Sequence, residues 1–466
     1  MNNKEKYGEV TTPEEVIKEM YDNSKEYILK YLDENDNINI LDVGTGNGIF
    51  IKEFIDKFIK NEEKYKNKNI KFAGIEKNEY YESIFKKVLK EETEYKNYNI
   101  EYINDDFIKK ENIIENEKYD IIIGNPPFNC DGLIKVPCNK NIKKKNEGRS
   151  IWYECIHEAK RRLRINGLLL FVSPCLWLKP DKSKTYELLI NKNKLLLIKS
   201  YSSLECNKIF KYKAQTPVNY FLSRKEKIEL EKNNDETKIK IYTKDEEYDF
   251  ILKKEDAIPT HNIKEVKECI EIMKKNKIGN ISKLIKKTNP IGKNIRINDR
   301  LEEEYKYKNI KTSKIKKGKK EELENIIEYS DIACPFNNEV KLINSHKRIP
   351  NYYYDKEGEY GISTRDNYVI TKKNIKEEYG SKLKDDKDIN KILNILLLFL
   401  NTELIKKILQ CTKYRMNYLE KYAYNYVPNI IDYVLNNDLL NEKEEKIIEE
   451  LLNIKNWINY ILENNI

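Results

Sequence analysis

The 466-residue chain reads as α/β, with a doubly wound, Rossmann-like, mostly parallel sheet over residues 1–225 and an α+β region over residues 226–466. Three observations predict this. Short apolar runs alternate with amphipathic helical stretches through the first half, the pattern of a parallel sheet covered by helices. Nine of the fifteen glycines stand at or before Gly167, so only the first half is punctuated like an α/β domain. Acidic residues and a double proline stand at the ends of successive predicted strands, where ligands bind in such sheets.

The elements follow in order. Residues 14–33 space their apolar positions as an amphipathic helix. Asn39–Val43 is a buried strand, followed by a glycine turn and a helix from about Ile49. Lys71–Glu76, Ile100–Ile103 and Tyr119–Gly124 are the next strands, and residues 150–165 form a helix. Gly167–Val172, Leu195–Lys199 and Val218–Leu222 complete the sheet. The charged stretch Ser223–Asn234 marks the boundary between the two regions. Beyond it, short strands and basic loops run to about Gly380, followed by helices at 388–420 and 428–463. A hairpin is expected over Tyr360–Ile370.

Composition bounds the function. The net charge of +9 suits a polyanionic partner without requiring one, because the Lys, Asn, Ile and Glu bias also follows from AT-rich codons. The eight cysteines form no C-x-x-C pair, and His157, His261 and His346 have no ligand spacing, so no metal site is expected. Scattered thiols of this kind suit a reducing cytoplasm. The N-terminus lacks an apolar signal segment. The longest apolar run, Ile392–Leu400, is too short to span a bilayer, so no membrane partner is expected.

Asp42-Val43-Gly44-Thr45-Gly46-Asn47-Gly48 follows a strand and opens a helix. Its glycines permit positive φ and close approach by a ligand. It lacks the lysine and hydroxyl of a phosphate loop. Asp42 would repel pyrophosphate but suits a cationic ligand such as S-adenosyl-L-methionine, which carries an ammonium and a sulfonium and no phosphate. Glu76, ending the second strand, can accept both ribose hydroxyls. Asp106 can accept from an adenine amino group while Phe107 stacks on the ring. The Asp106-Phe107 pair by itself is an ordinary dipeptide; three acids at successive strand ends carry the reading together.

Asn125-Pro126-Pro127-Phe128 follows the fourth strand. An aromatic amine is a weak nucleophile because its lone pair is delocalised into the ring. The Asn125 side-chain oxygen and the Pro126 carbonyl can accept the amine hydrogens as the nitrogen becomes tetrahedral. Two prolines fix φ and so preorganise that carbonyl. Phe128 offers a face to a flipped base.

These motifs, preceded by Gly8-Glu9-Val10-Thr11-Thr12-Pro13, resemble in order those of gamma-class DNA adenine-N6 methyltransferases of the type II restriction-modification kind. The resemblance continues through Ile151-Trp152-Tyr153, Ser173-Pro174, Trp177 and Ile209-Phe210, covering roughly residues 6–225. It implies a methyltransferase domain over 1–225 and a target-recognition region over 226–466. It also implies that Thr12 and Pro13 line the methionine end of the cofactor and that Asp42, Gly44 and Gly46 form the cofactor turn. Phe210 would be the second aromatic of the base pocket, with Tyr212 close by. Thr11 departs from the aromatic or hydrophobic residue that many relatives carry there.

The implied substrate is an adenine flipped out of double-stranded DNA, the implied state a monomer, and an implied partner a separate restriction endonuclease. RNA adenine and a protein glutamine amide remain alternatives, since Asn-Pro-Pro can hold either nitrogen. A catalytically silent DNA-binding subunit is a third. The Thr12-Pro13 motif and the long second half tilt the reading towards DNA. In that half, Arg365, Asn367 and Ser363 on the expected hairpin could contact base edges or simply face solvent. The basic run Lys311–Lys320 could contact phosphates or form a solvated loop. Asn401-Thr402-Glu403-Leu404 and Tyr426-Val427-Pro428 resemble helical closing segments of restriction-modification methyltransferases.

Overall fold

The computed structural model describes residues 6–7, 10–91, 94–109, 117–132, 148–210, 216–227, 236–315, 323–345, 351–415 and 418–453. The chain forms two compact units, Met1–Thr260 with Tyr414–Met416, and His261–Lys413 with Asn417–Ile466.

The first unit opens with α1 (Glu14–Glu34), which buries Val16, Ile17, Met20, Tyr21, Ser24, Ile28 and Leu32 at helical spacing. Pro13 starts it in an extended conformation, and its carbonyl accepts from the Val16 and Ile17 amides. There follow β1 (Asn37–Val43), α2 (Ile49–Phe54), β2 (Asn69–Glu76), α3 (Tyr80–Lys86), β3 (Asn99–Asn104) and β4 (Tyr119–Gly124). A two-stranded ribbon, β5 (Asn129–Cys130) with β6 (Arg149–Ser150), precedes α4 (Trp152–Arg162) and β7 (Leu163–Pro174). The unit closes with β8 (Lys194–Tyr201), α5 (Ser203–Ile209), β9 (Val218–Arg224), β10 (Glu236–Tyr242) and β11 (Glu247–Lys253).

All these strands except the ribbon join one nine-stranded sheet in the order β11-β10-β8-β9-β7-β4-β1-β2-β3. From β3 to β7 every pairing is parallel. Strand β9 then inserts antiparallel between β7 and β8. The sheet keeps the doubly wound order with two reversed strands, β9 within it and β11 at its edge. Strand β7 has twelve residues where the sequence suggests six, because its first residue already pairs with Tyr119. The boundary expected after residue 225 falls inside this unit: β10 pairs parallel with β8 and carries the sheet past it, and the contacts divide at Thr260.

Connections from β1 and β4 leave in opposite directions, so their carboxyl ends frame the crevice in which such sheets bind ligands. The register there is tight, with Val43 opposite Gly124. Gly124 has φ +136°, and a Cβ on it would lie 2.5 Å from the Val43 carbonyl oxygen and 3.0 Å from Asp42 Oδ1. Only glycine satisfies both the torsion and the space.

In the second unit, α6 (Ile263–Asn276) precedes two four-stranded sheets. One is β12 (Lys286–Lys287), β19 (Asn367–Thr371), β16 (Lys341–Ser345) and β17 (Tyr352–Asp355), in that order. The other is β13 (Ile297–Asn298), β15 (Leu323–Ser330), β14 (Tyr307–Ile315) and β18 (Gly361–Ile362). The expected hairpin over 360–370 does not form: β18 pairs with β14 and β19 pairs with β16, in different sheets. Ile362 and Val369 both enter a core with Ile310 and Ile343. Thr364 Oγ1 (2.6 Å) and Asn367 Nδ2 (3.3 Å) donate to the Lys311 carbonyl, tying the connection to β14.

Strand β14 also takes up the start of the basic run. Lys311 pairs with Glu328 at 2.9 Å and Lys314 with Glu324 at 3.3 Å. Residues 316–320 lie outside the described residues.

The expected helix over 388–420 is broken. α7 (Lys372–Tyr379) precedes it, and the span itself holds α8 (Asp386–Leu400) and α9 (Glu403–Leu409). Asn401 bonds both backbone groups of Tyr352, at 2.7 and 3.2 Å, and Thr402 caps α9. The expected helix over 428–463 is likewise α10 (Ile430–Asn436) and α11 (Glu444–Leu452), the first capped by Asn429; residues 454–463 lie outside the described residues.

Gly124→Ala should destabilise the first unit by about 2 kcal/mol or more, since positive φ and backbone overlap combine. Urea unfolding followed by tryptophan fluorescence measures this; a loss within about 0.5 kcal/mol would contradict the strand-end packing.

Candidate active site

A cleft of about 770 Å³ opens at the carboxyl ends of β1, β2, β3 and β4. That is ample for a nucleoside-sized ligand. Of the residues expected to serve the site, Thr12, Gly44, Gly46, Glu76, Asp106, Phe107, Asn125 and Pro127 line it. Pro13, Asp42, Pro126, Phe128 and Phe210 do not.

Gly44 (φ +69°) and Gly46 (φ +51°) turn the chain directly after β1. The Gly44 and Thr45 amides donate to the Ile75 carbonyl, tying this turn to the end of β2. Glu76 stands there, its carboxylate accepting from the Gly46 amide at 3.3 Å and the Asn78 amide at 2.9 Å. Tyr81, at the start of α3, is the side chain nearest Gly46.

Asp42 is fully buried beneath the turn instead of facing the cleft. Its Oδ2 accepts from Thr45 Oγ1 at 2.6 Å, and its Oδ1 has no hydrogen-bond partner among the described residues. Burial pushes its carboxyl up to about 7; the Thr45 hydroxyl opposes the shift and the Glu76 charge reinforces it. It therefore contributes to the cofactor turn through the scaffold, not by direct contact.

Asp106 accepts from the Ile108 amide at 3.1 Å and pairs with Lys77 at 3.0 Å. Lys77 also lines the cleft and was not anticipated; it immediately follows Glu76, which is the only clue in the sequence. Phe107 is 6% exposed.

Asn125 leaves β4 at the cleft wall. Its Nδ2 donates to the Val10 carbonyl at 3.1 Å and to Thr12 Oγ1 at 2.9 Å. A backbone carbonyl can only accept, so this network fixes which amide atom is nitrogen. Oδ1 is thereby left buried with no hydrogen-bond partner among the described residues. A Cβ on Gly44 would lie 3.5 Å from the Asn125 carbonyl oxygen and 3.6 Å from Pro126 Cα, so the glycine turn and the proline motif are in contact. Phe128 is half-buried against the core of the unit, and its carbonyl accepts from the Ile151 amide at 3.0 Å. Phe210, at the end of α5, is 4% exposed in the same core. Gly8, Glu9 and Tyr212 lie outside the described residues.

The sequence did not single out Tyr7, Phe50, Ile75, Arg149, Glu154 or Cys155, which also line the cleft. Arg149 on β6 pairs with Glu154 on α4 at 3.5 Å. Their contribution depends on how the ribbon and α4 fold back to the strand ends.

The donor set fits S-adenosyl-L-methionine. The turn has no cation to hold a pyrophosphate, a carboxylate at Glu76 stands where ribose hydroxyls bind in such sheets, and Asp42 adds negative charge beneath the turn. Fold and site define an S-adenosyl-L-methionine-dependent methyltransferase domain of Rossmann-like architecture, with S-adenosyl-L-methionine as its cofactor.

A family model described as Eco57I restriction-modification methylase matches residues 27–210. The matched stretch runs from within α1 to the residue after α5. No curated protein matches the chain. Similar solved structures include a methyltransferase subunit of a type I restriction-modification system from Streptococcus thermophilus, 13% identical over 50% of this chain and 47% of that one, TM-score 0.34. The M protein of the type I restriction enzyme EcoKI is 14% identical over 50% of this chain and 48% of its own, TM-score 0.35. A candidate class I S-adenosylmethionine-dependent methyltransferase from Listeria monocytogenes is 15% identical over 47% of this chain and 64% of its own, TM-score 0.34. The chain thus spans between 47% and 64% of the length of these structures.

Asp42 makes a pH dependence. Its unfolded value is 3.8 and its folded value about 7. Between these the folded protein keeps a proton that the unfolded chain has lost, so stability falls as pH rises through the window and is level above it. Asp42→Asn should remove up to about 4 kcal/mol of that fall. Denaturant unfolding at several pH values checks this; equal slopes in both proteins would contradict it.

Proposed function

We propose that the chain is a site-specific DNA methyltransferase of the gamma class, methylating the N6 amino group of an adenine flipped out of double-stranded DNA. The observation that carries this reading is the Asn125 amide, with its nitrogen tied to Val10 and Thr12 and its oxygen buried and unpartnered at the cleft wall.

S-adenosyl-L-methionine supplies a methyl group on a sulfonium, already a good leaving group, so the protein needs no strong base. What the protein must do is hold a planar amine. Asn125 Oδ1 and the Pro126 carbonyl accept its two hydrogens and favour the pyramidal nitrogen. Pro126 and Pro127 keep φ narrow, so the acceptors need not reorganise as the amine reacts. Phe128 stacks on the target base, backed by the core in which Phe210 is buried. Thr12 and Pro13 border the methionine end of the cofactor, and Glu76, Asp106 and Phe107 hold its nucleoside. Alignment in a closed cleft accounts for the remaining acceleration.

The second unit, with the remainder of the region after residue 225, acts as the target-recognition part. The protein works in the cytoplasm as a monomer, alongside a separate restriction endonuclease. Among the described residues, no helix is long and apolar enough to cross a membrane.

Labelled methyl from S-adenosyl-L-methionine should appear in duplex DNA, in adenine. Asn125→Ala should lower that transfer by about a hundredfold or more, the usual effect of losing one preorganised polar contact at the reacting atom, while cofactor affinity changes little. Full activity in the variant would remove the proposed role. DNA affinity should fall steeply with salt as phosphate counterions are released. Label recovered in RNA or in a protein amide, with no salt dependence on DNA, would move the substrate to one of those classes.

A further inference from the structure

The cofactor corner contains a buried charge that the proposed chemistry does not use. Arg162, the last residue of α4, is fully buried. Its guanidinium carbon lies 5.4 Å from the centroid of Phe107, over the ring face. Its Nε donates to Glu158 at 2.6 Å, one turn back on the same helix. Glu158 is itself held by Arg161, which donates to both carboxylate oxygens at 2.9 and 2.7 Å. The guanidinium is therefore held from the helix side and lies over the ring of a residue that lines the cleft.

We infer that Arg162 is a positioning residue for the adenine end of the cofactor, acting through Phe107. The inference rests on reading Asp106-Phe107 as the corner that receives that adenine. A cation over an aromatic face is attracted by the ring quadrupole, most strongly where water is excluded. With Arg162 on one face, the Phe107 ring cannot rotate without breaking a desolvated contact. Phe107 follows β3 in the connection to β4, and Asp106 beside it is anchored by Lys77. The charge also draws ring electron density to the buried face, leaving the other face a better partner for an electron-rich purine. Arg162 belongs to a helix whose opposite end, at Glu154 and Cys155, lines the same cleft.

The test is calorimetric binding of S-adenosylhomocysteine to the full-length chain. Arg162→Met is made together with Glu158→Gln, so that no carboxylate loses one of its two arginine partners, and is compared with Glu158→Gln alone. Affinity should weaken about fivefold to tenfold, the size expected for one desolvated cation–π contact. In a Phe107→Ala background the same change should cost less than about twofold, because the ring it acts through is gone. Arg162→Lys, which keeps a cation near the ring, should stay within about threefold of wild type. An equal loss with and without Phe107, a lysine variant as weak as the methionine one, or unchanged affinity in the methionine variant would each overturn the inference. If the unaltered protein itself fails to bind S-adenosylhomocysteine, the cofactor reading falls first and the inference falls with it.

Discussion

The first unit depends on how closely the ends of β1 and β4 approach each other. Gly124 leaves room for the Val43 carbonyl and the Asp42 carboxylate, and Gly44 in turn lies against the backbone of Asn125 and Pro126. Cofactor turn and proline motif are thus two halves of one contact. A side chain at Gly124 would force the strand ends apart, and separation by about an ångström is enough to spoil alignment of reacting atoms. The remaining strands, the helices on both faces and the antiparallel addition of β9 hold this junction in place.

Electrostatics follows from that packing. A junction this tight excludes water, which raises the cost of the Asp42 charge and keeps Asn125 Oδ1 from being hydrated. Glu76 is half-buried at the rim, and its carboxylate accepts from two backbone amides. The acids at the strand ends therefore divide the work: one beneath the turn, one at its rim, and one, Asp106, paired with Lys77.

Much of the first unit was legible because buried parallel strands produce continuous apolar runs, and the glycine turn and Asn125–Phe128 are local motifs. The ends of β1, β2 and β4 were placed within two residues of where they fall. Other features depend on distant partners. Asp42 looked like a ligand-facing acid, but whether a strand-end side chain points out or down is set by its neighbour, here Gly124. Phe210 was assigned to the base pocket by resemblance, yet the structure has it in the core. Lys77, Arg149 and Glu154 are common residue types that only the fold brings to the cleft. In the second unit the alternation around 360–370 was real, but both strands found better partners elsewhere. Long helices were over-read because Asn401 and Thr402 act through bonds to Tyr352 and the next helix, which periodicity does not show.

The Asn125 amide has a consequence of a different kind. Its nitrogen is satisfied by residues more than a hundred positions earlier, while its oxygen is not satisfied at all. A resting protein that keeps a desolvated acceptor unfed is locally frustrated. Such a position trades stability for readiness. Selection for thermostability alone would act against it first.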